Sequence, residues 1–264
     1  MIHSRHLEWD GCFNVRDLGG LPTADGRVTR RGAVVRADSV NRLTEPGWAA
    51  LEAHGINTVI DLRNDFELDD DASPRPPGIE TLHLPLDGLE DSEFWERWEA
   101  EPPPLYYRPH LERLPERSVA ALRAIAHAPT GGVLVHCVGG IDRTGLVAMV
   151  LLALAGVSDD DIAADHALSD ERIDPLYAAL ALPDRAEVRD ALTRRGTSGR
   201  DLIVSTLQSL DIEAVLRKGG LLDDDLSALH ARFLEPGAHS YTTTSGSGFR
   251  AFTSRGLISP VSSR

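Results

Sequence analysis

The residues with the most chemistry lie in one stretch, "HCVGGIDRTG", residues 136–145. A histidine and a cysteine close a short apolar run, Val133-Leu134-Val135. Two glycines, an aspartate, an arginine and a threonine follow. Cys137 and Arg143 are separated by five residues, a Cys-x5-Arg spacing. A loop of that length can wrap a tetrahedral dianion. Backbone N–H groups of Val138, Gly139, Gly140 and Ile141 would bond its oxygens, and the Arg143 guanidinium would close the ring with two parallel hydrogen bonds. Gly139, Gly140 and Gly145 supply the freedom needed to turn amides inward. The same positive field favours the thiolate form of Cys137, which would lie beneath the phosphorus and in line for attack. Thr144 sits where its hydroxyl would stabilise the departing thiolate when water hydrolyses the intermediate.

The flanking elements fit that use. Gly131-Gly132 opens a short buried strand that ends at His136, and Thr144-Gly145 leads into "LVAMVLLALAGV", whose length and composition suit a buried helix. A strand, a glycine loop and a helix N-terminus in succession form an anion site, because free amides converge there and the helix dipole favours negative charge. Four segments read as strands: residues 32–37, 57–62, 80–86 and 132–137. Between them, "TEPGWAALEAHG" reads as a helix capped by Thr44, with Pro46 in its first turn and an end at Gly55. Beyond residue 143 the pattern is almost wholly helical; Ser158 caps a segment whose first turn is rich in aspartate. The expected fold is α/β, with a short, largely parallel central sheet flanked by helices and a helical C-terminal half.

Residues 1–236 read as one domain, and the polar Ser/Thr/Gly-rich residues 237–264 as a flexible tail. Residues 87–118 stand apart. "DSEFWERWEA" places Phe94, Trp95 and Trp98 on one side of a short helix that "EPPPLYYRPH" then breaks. Two readings are open, a surface helix packed on the core, which is favoured, and a helical lid over the active site.

The bulk composition narrows the function classes. The 264 residues carry a formal charge of −14, which argues against nucleic acid or an anionic membrane surface as the main partner. Lys218 is the only lysine. Cys12 and Cys137 cannot build a disulfide framework, and no Cys/His spacing suggests a metal site or a cofactor. Cys12 reads as a small buried residue. No run reaches transmembrane length and the first residues hold no apolar signal core, so a cytoplasmic protein without stable membrane insertion is expected. Oligomeric state is not legible.

"HCVGGIDRTG" resembles the signature loop of the protein tyrosine phosphatase superfamily. More narrowly, it is similar to the bacterial tyrosine/lipid phosphatase branch, whose loop reads His-Cys-x-x-Gly-Lys-Asp-Arg-Thr-Gly. "NVRDLGG" (14–20), residues 34–67 and "DHALSD" (165–170) resemble further segments of that branch, with His166 where tyrosine is usual, and the likeness covers about residues 11 to 235. It implies a cysteine-phosphatase-like fold and hydrolysis of phosphate monoesters through a phosphocysteine. A phosphorylated protein or a small phosphate ester would be the substrate. One position departs: the loop lysine is Ile141 here. That lysine is associated in the family with highly charged phosphoinositides, so weak phosphoinositide turnover relative to phosphotyrosine is expected. A catalytically weak phosphate-binding module and a rhodanese-like sulfur transferase remain as alternatives; the intact Cys, Arg and Thr disfavour the first, and the Asp-Arg-Thr-Gly close disfavours the second.

Departure of an alkoxide or phenoxide needs a general acid. Asp87 follows the strand at 80–86, where residues share the crevice with the phosphate loop, and the resembled family's proposed acid has a comparable place. Asp142 lies inside the loop; its counterpart in that family is catalytically implicated, as donor or as orienter of the arginine. Asp61 comes third, with a structural pairing to Arg63 or Arg16 favoured. His136 reads as a hydrogen-bond partner that sets the loop. Arg63, Arg36 and Arg16 either add positive charge at the mouth of the site or form structural ion pairs.

Overall fold

Five strands make one sheet in the order β1–β2–β5–β3–β4. They are β1 (Arg16–Asp17), β2 (Val34–Ala37), β3 (Ile56–Asp61), β4 (Glu80–His83) and β5 (Gly132–His136). β1 runs antiparallel to β2, and all other neighbours are parallel. This computed structural model describes residues 5–68, 75–180 and 185–237. β5 sits at the centre and is buried along its whole length. Such two-sided burial is the rule for parallel strands covered by helices, and it explains the unbroken apolar run Val133-Leu134-Val135. β4 is an edge strand, largely exposed.

The strands are shorter than the sequence pattern suggests at residues 32–37, 80–86 and 132–137. The chain leaves the ladder at Cys137, where Val138 turns its carbonyl to the Ser39 N–H at 3.0 Å. Past His83, pairing continues irregularly through Leu84 and Leu86 to the carbonyls of Asp61 and Leu62.

Helix α1 (Glu45–Ala53) starts as expected, with the Thr44 side chain accepting from the Gly47 N–H. It covers one face of the sheet, burying Trp48 and Leu51 against Val35, Val59 and Leu134. The other face carries α4 (Pro115–His127) and α5 (Asp142–Leu154), whose Leu122, Ile125, Leu146 and Val150 are fully buried. Each such side chain contributes about 1.5–3 kcal/mol of transfer free energy. α5 is buried nearly all round, as its uniformly apolar sequence requires.

Within 87–118 the chain forms α2 (Ser92–Trp98) and α3 (Tyr107–Arg113), then enters α4. Phe94 is buried, and Trp95 and Trp98 pack partly buried against the main core. The C-terminal half is helical: α6 (Asp159–Arg172), α7 (Asp174–Ala179), α8 (Arg185–Arg194), α9 (Gly199–Ser209), α10 (Ile212–Lys218) and α11 (Asp223–Phe233). α6 packs on α5 and α9, while α10 and α11 close over α4. Apart from Gly237, the segment read as a flexible tail lies outside the described residues.

Candidate active site

Residues 137–141 form the loop between β5 and α5, at the C-terminal end of the central strand. Every carbonyl from Cys137 to Asp142 has a partner. The Cys137 oxygen meets His136 Nδ1 at 3.1 Å. The Ser39 N–H serves Val138, Asn14 Nδ2 donates to Gly139 at 3.1 Å, and Arg36 Nη2 donates to Gly140 at 2.8 Å. The Tyr107 hydroxyl donates to the carbonyls of Asp142 at 2.7 Å and Ile141 at 3.3 Å. No described residue accepts from the N–H groups of residues 138–141. With the carbonyls engaged on the scaffold, the amides are left for an anion. Gly140 has φ +69°, and a Cβ there would fall 2.4 Å from the Ala37 oxygen, so only glycine fits.

Cys137 is 3% exposed. The Thr144 hydroxyl is buried with no hydrogen-bond partner among the described residues.

Arg143, in the first turn of α5, reaches toward a turn that the sequence did not single out. Both its Nη atoms contact the Glu67 carboxylate, Nη2 to Oε1 at 2.8 Å. Asp87 Oδ2 lies 3.5 Å from Arg143 Nη1 and accepts from Asn64 Nδ2 at 2.7 Å. Burial, reinforced by the negative charges of Glu67 and Asp142, pushes the Asp87 carboxyl above its ordinary range, against the pull of Arg143 and Asn64. Burial also disfavours the Glu67 carboxylate, but its contact with Arg143 outweighs that and holds its pKa low.

Asp142 faces the other way. It stands 3.5 Å from Arg185 Nη1 of α8, a largely buried guanidinium that also lies over the Tyr177 ring at 5.9 Å. Tyr177 in turn contacts the loop, with ring and hydroxyl about 3.5 Å from where a Gly139 Cβ would stand. Gly145 leaves room for Tyr107 and His166, whose Nε2 is 3.2 Å from the Tyr107 hydroxyl. Ile141 turns its side chain into a small apolar cluster with Ile173 and Leu176 and is 1% exposed.

Beneath the loop lies a buried charge network. Asp165 of α6 accepts from Arg16 Nε at 3.0 Å, Arg36 Nη1 at 2.9 Å and Arg5 Nη1 at 2.6 Å. Burial alone would raise its pKa, but these three guanidinium groups drive it far below the carboxylate range. Asp61 is paired with Arg63, Nη2 to Oδ2 at 2.6 Å, and despite burial its pKa falls to about 2. Of the two partners considered for Asp61, Arg63 holds it and Arg16 is engaged elsewhere. Arg16, Arg36 and Arg63 are no more than 1% exposed, so they serve internal pairs and not the mouth of the site. His136 is wholly buried, its pKa lowered by that burial to about 4, so it is neutral near pH 7. Cys12 Sγ meets the Ser39 carbonyl at 3.6 Å.

A buried thiol, a ring of unpaired amides, a guanidinium at its rim and two neighbouring carboxyls can bind a phosphate dianion and exchange its ester oxygen for sulfur. A sequence model of the tyrosine phosphatase family matches residues 7–235. The chain belongs to the tyrosine phosphatase family.

This family member is 32% identical over 181 residues to a Cupriavidus necator protein provisionally named a tyrosine-protein phosphatase, a match that covers 65% of this chain and 66% of the relative. It thus spans slightly under two thirds of that relative's length. It is 28% identical over 204 residues to the triple specificity protein phosphatase PtpB of Mycobacterium tuberculosis, covering 66% and 72% of the two chains. It is also 28% identical over 221 residues to a tyrosine-protein phosphatase of Nostoc commune, covering 78% and 75%. A solved structure of P. aeruginosa TpbA with phosphotyrosine overlaps it at a TM-score of 0.40 and 16% identity, over 73% of this chain and 89% of that one. At that level the overlap adds nothing to the family assignment.

Proposed function

We propose that residues 1–236 form one phosphatase domain that hydrolyses phosphate monoesters, with protein phosphotyrosine as the main substrate, through a phosphocysteine intermediate. The observation that carries this reading is the loop of 137–141, whose carbonyls are all engaged while its amides are left over beside Cys137 and Arg143.

The Cys137 thiolate attacks phosphorus, forming the S–P bond as the ester O–P bond breaks. The inward amides and Arg143 stabilise the charge that accumulates on the equatorial oxygens. Asp87 gives its proton to the departing oxygen; its raised pKa supports that assignment. Water then attacks the phosphocysteine, Asp87 takes back a proton, and the Thr144 hydroxyl donates to the leaving thiolate. Asp142, next to Arg185, orients the rim of the loop.

The names of the relatives agree with a phosphoryl-ester substrate, and one of them is described as having triple specificity. Ile141 favours phosphotyrosine over phosphoinositide, because the loop has no cation at that position and the side chain is turned into an apolar cluster. No described helix is long and apolar enough to cross a membrane; a cytoplasmic setting belongs to the same proposal.

The test is phosphate release from a phosphotyrosine peptide, a phosphoserine peptide and a phosphoinositide, by wild type and Cys137→Ser, with chelator present. Release that needs Cys137 and is fastest from phosphotyrosine is expected. A phosphoinositide hydrolysed faster than any phosphotyrosine peptide would overturn the substrate preference. No release, with tight retention of a phosphopeptide, would point to a binding module.

A further inference from the structure

Asn64 and Glu67 are the ends of one four-residue turn, and each reaches a different group assigned above. The turn closes on itself: the Glu67 carboxylate accepts from the Asn64 N–H at 2.7 Å, and the Glu67 N–H donates to the Asn64 carbonyl at 3.0 Å. From this braced base Glu67 takes both Nη atoms of Arg143, while Asn64 Nδ2 donates to Asp87 Oδ2 at 2.7 Å. Asp87 Oδ2 also lies 3.5 Å from Arg143, so Asn64, Asp87, Arg143 and Glu67 form a closed ring of contacts. Two hydrogen bonds between the same two residues brace a short turn, and a rigid base fixes both groups relative to one another.

We infer that the Asn64–Glu67 turn is a positioning device that couples the phosphate clamp to the acid. Glu67 aims the Arg143 guanidinium and its charge keeps the proton on Asp87, while the Asn64 amide decides which carboxyl oxygen carries that proton. This rests on the phosphatase reading above.

The chemistry runs as follows. Asp87 Oδ2 faces two donors, Asn64 Nδ2 and the Arg143 guanidinium, and is therefore the acceptor oxygen; the proton resides on Oδ1, free to pass to a leaving group. A cation 3.5 Å away would by itself strip that proton. Glu67 offsets it with a carboxylate on the same guanidinium, so Asp87 experiences a neutralised pair. Among the described residues, Asp142 from α5 adds a negative charge that acts in the same direction as Glu67. The Arg117 guanidinium of α4 packs beside Gly88 and donates to the Pro85 carbonyl at 3.4 Å. Three uncharged groups complete the surroundings. Those are Trp95 of α2, whose indole N–H donates to the Asp87 carbonyl at 2.9 Å, the buried Tyr106 phenol, and His110 of α3, whose pKa is lowered by burial to about 4. Nothing local in the sequence marks Asn64 or Glu67, whose partners lie 23 and 76 residues away.

Two substitutions move the acid in opposite directions. Glu67→Gln removes the compensating charge, so Asp87 loses its proton more easily and the basic limb of the kcat-against-pH profile moves to lower pH. Asn64→Asp leaves the backbone closure of the turn intact but replaces the amide donor with a second carboxylate, so that limb moves to higher pH. Each shift should reach about one pH unit. Inhibition by inorganic phosphate weakens about tenfold in Glu67→Gln, because Arg143 is no longer aimed, and stays within twofold of wild type in Asn64→Asp. A turn of merely structural importance would lower both rates without moving the limbs apart. Limbs that stay put, or move the same way, overturn the inference; where Glu67→Gln fails to fold, a limb in Asn64→Asp that does not move to higher pH overturns it alone. Wild-type enzyme with no Cys137-dependent turnover would overturn the phosphatase reading and this inference together, whereas normal turnover with unmoved limbs overturns this inference only.

Discussion

Arg36 ties the phosphate loop to the core through Asp165: one guanidinium nitrogen donates to the Gly140 carbonyl at 2.8 Å and another to the Asp165 carboxylate at 2.9 Å. Asp165 is shared with Arg16 and Arg5, so one carboxylate on α6 pairs with three guanidinium groups. Replacing it with asparagine leaves buried cations without their counter-charge. Asp165→Asn should therefore cost about 3–5 kcal/mol of folding stability, read by urea denaturation. What remains folded should bind phosphate poorly, because the floor of the loop has lost its anchor. A stability change under about 1 kcal/mol would contradict this account.

Gly140 is where the backbone leaves no room for a side chain. Gly140→Ala combines an unfavourable φ of +69° with a Cβ pressed to 2.4 Å from the Ala37 oxygen. Strain of this type costs about 1–3 kcal/mol. The greater effect should be on activity, since a displacement of about 1 Å in a positioning group can cost about 100-fold. Turnover falling by two orders of magnitude while the variant stays folded at 25 °C is the expected outcome; activity within threefold of wild type would refute it.

Acid should destabilise the fold well before the carboxylates titrate. His136 and His110 are buried and neutral, with pKa values lowered to about 4, and that of His166 is lowered to about 3, burial being the first cause in each. Below the ordinary value of about 6.5 the unfolded chain takes up protons that these native imidazoles refuse. Stability is thus fully present above pH 6.5 and declines as pH falls from 6.5 toward 4, by up to about 1.4 kcal/mol per pH unit for each group. The melting temperature should drop clearly between pH 7 and pH 5. A flat profile over that range would mean the native imidazoles are protonated.

Ile141→Lys tests what a lysine at this loop position would do. The Ile141 side chain packs with Ile173 and Leu176, with Phe13, Tyr177 and Leu180 around them. An ammonium group at the end of that side chain enters an apolar cluster, at a cost of several kcal/mol unless it bends outward. The expected result is a lower melting temperature and no gain in phosphoinositide hydrolysis relative to phosphotyrosine. A clear gain in that ratio would show that the position faces substrate.

The phosphate loop was legible in the sequence because its chemistry is local: five residues between Cys137 and Arg143, a strand before them and a helix after. The central strands were legible for a similar reason, since two-sided burial writes a continuous apolar run. β1 was not, because Arg16-Asp17 has no apolar pattern and is a strand only through its pairing with β2. Residues 87–118 read as one excursion, but Pro115, at a first helical position, already starts α4. Glu67, Asn64 and Arg185 carried no signal, because each meets the site across a long separation in sequence. Arg16, Arg36 and Arg63 left two readings open, since an arginine in a sequence does not show whether its counter-charge arrives from a distant helix.

The phosphate loop takes its shape from the scaffold around it. Its carbonyls are tied to Ser39, Asn14, Arg36 and Tyr107, and the N–H groups of residues 138–141 have no acceptor among the described residues. Neighbouring N–H dipoles without acceptors repel one another, and a compact oxyanion offsets that repulsion. Folding and anion binding are therefore linked: phosphate or sulfate at about 100 times its dissociation constant adds about 2.7 kcal/mol to stability. The hydrolysis product is itself such an oxyanion. On the phosphatase reading proposed above, the same loop binds the orthophosphate it releases, and turnover should slow as product accumulates.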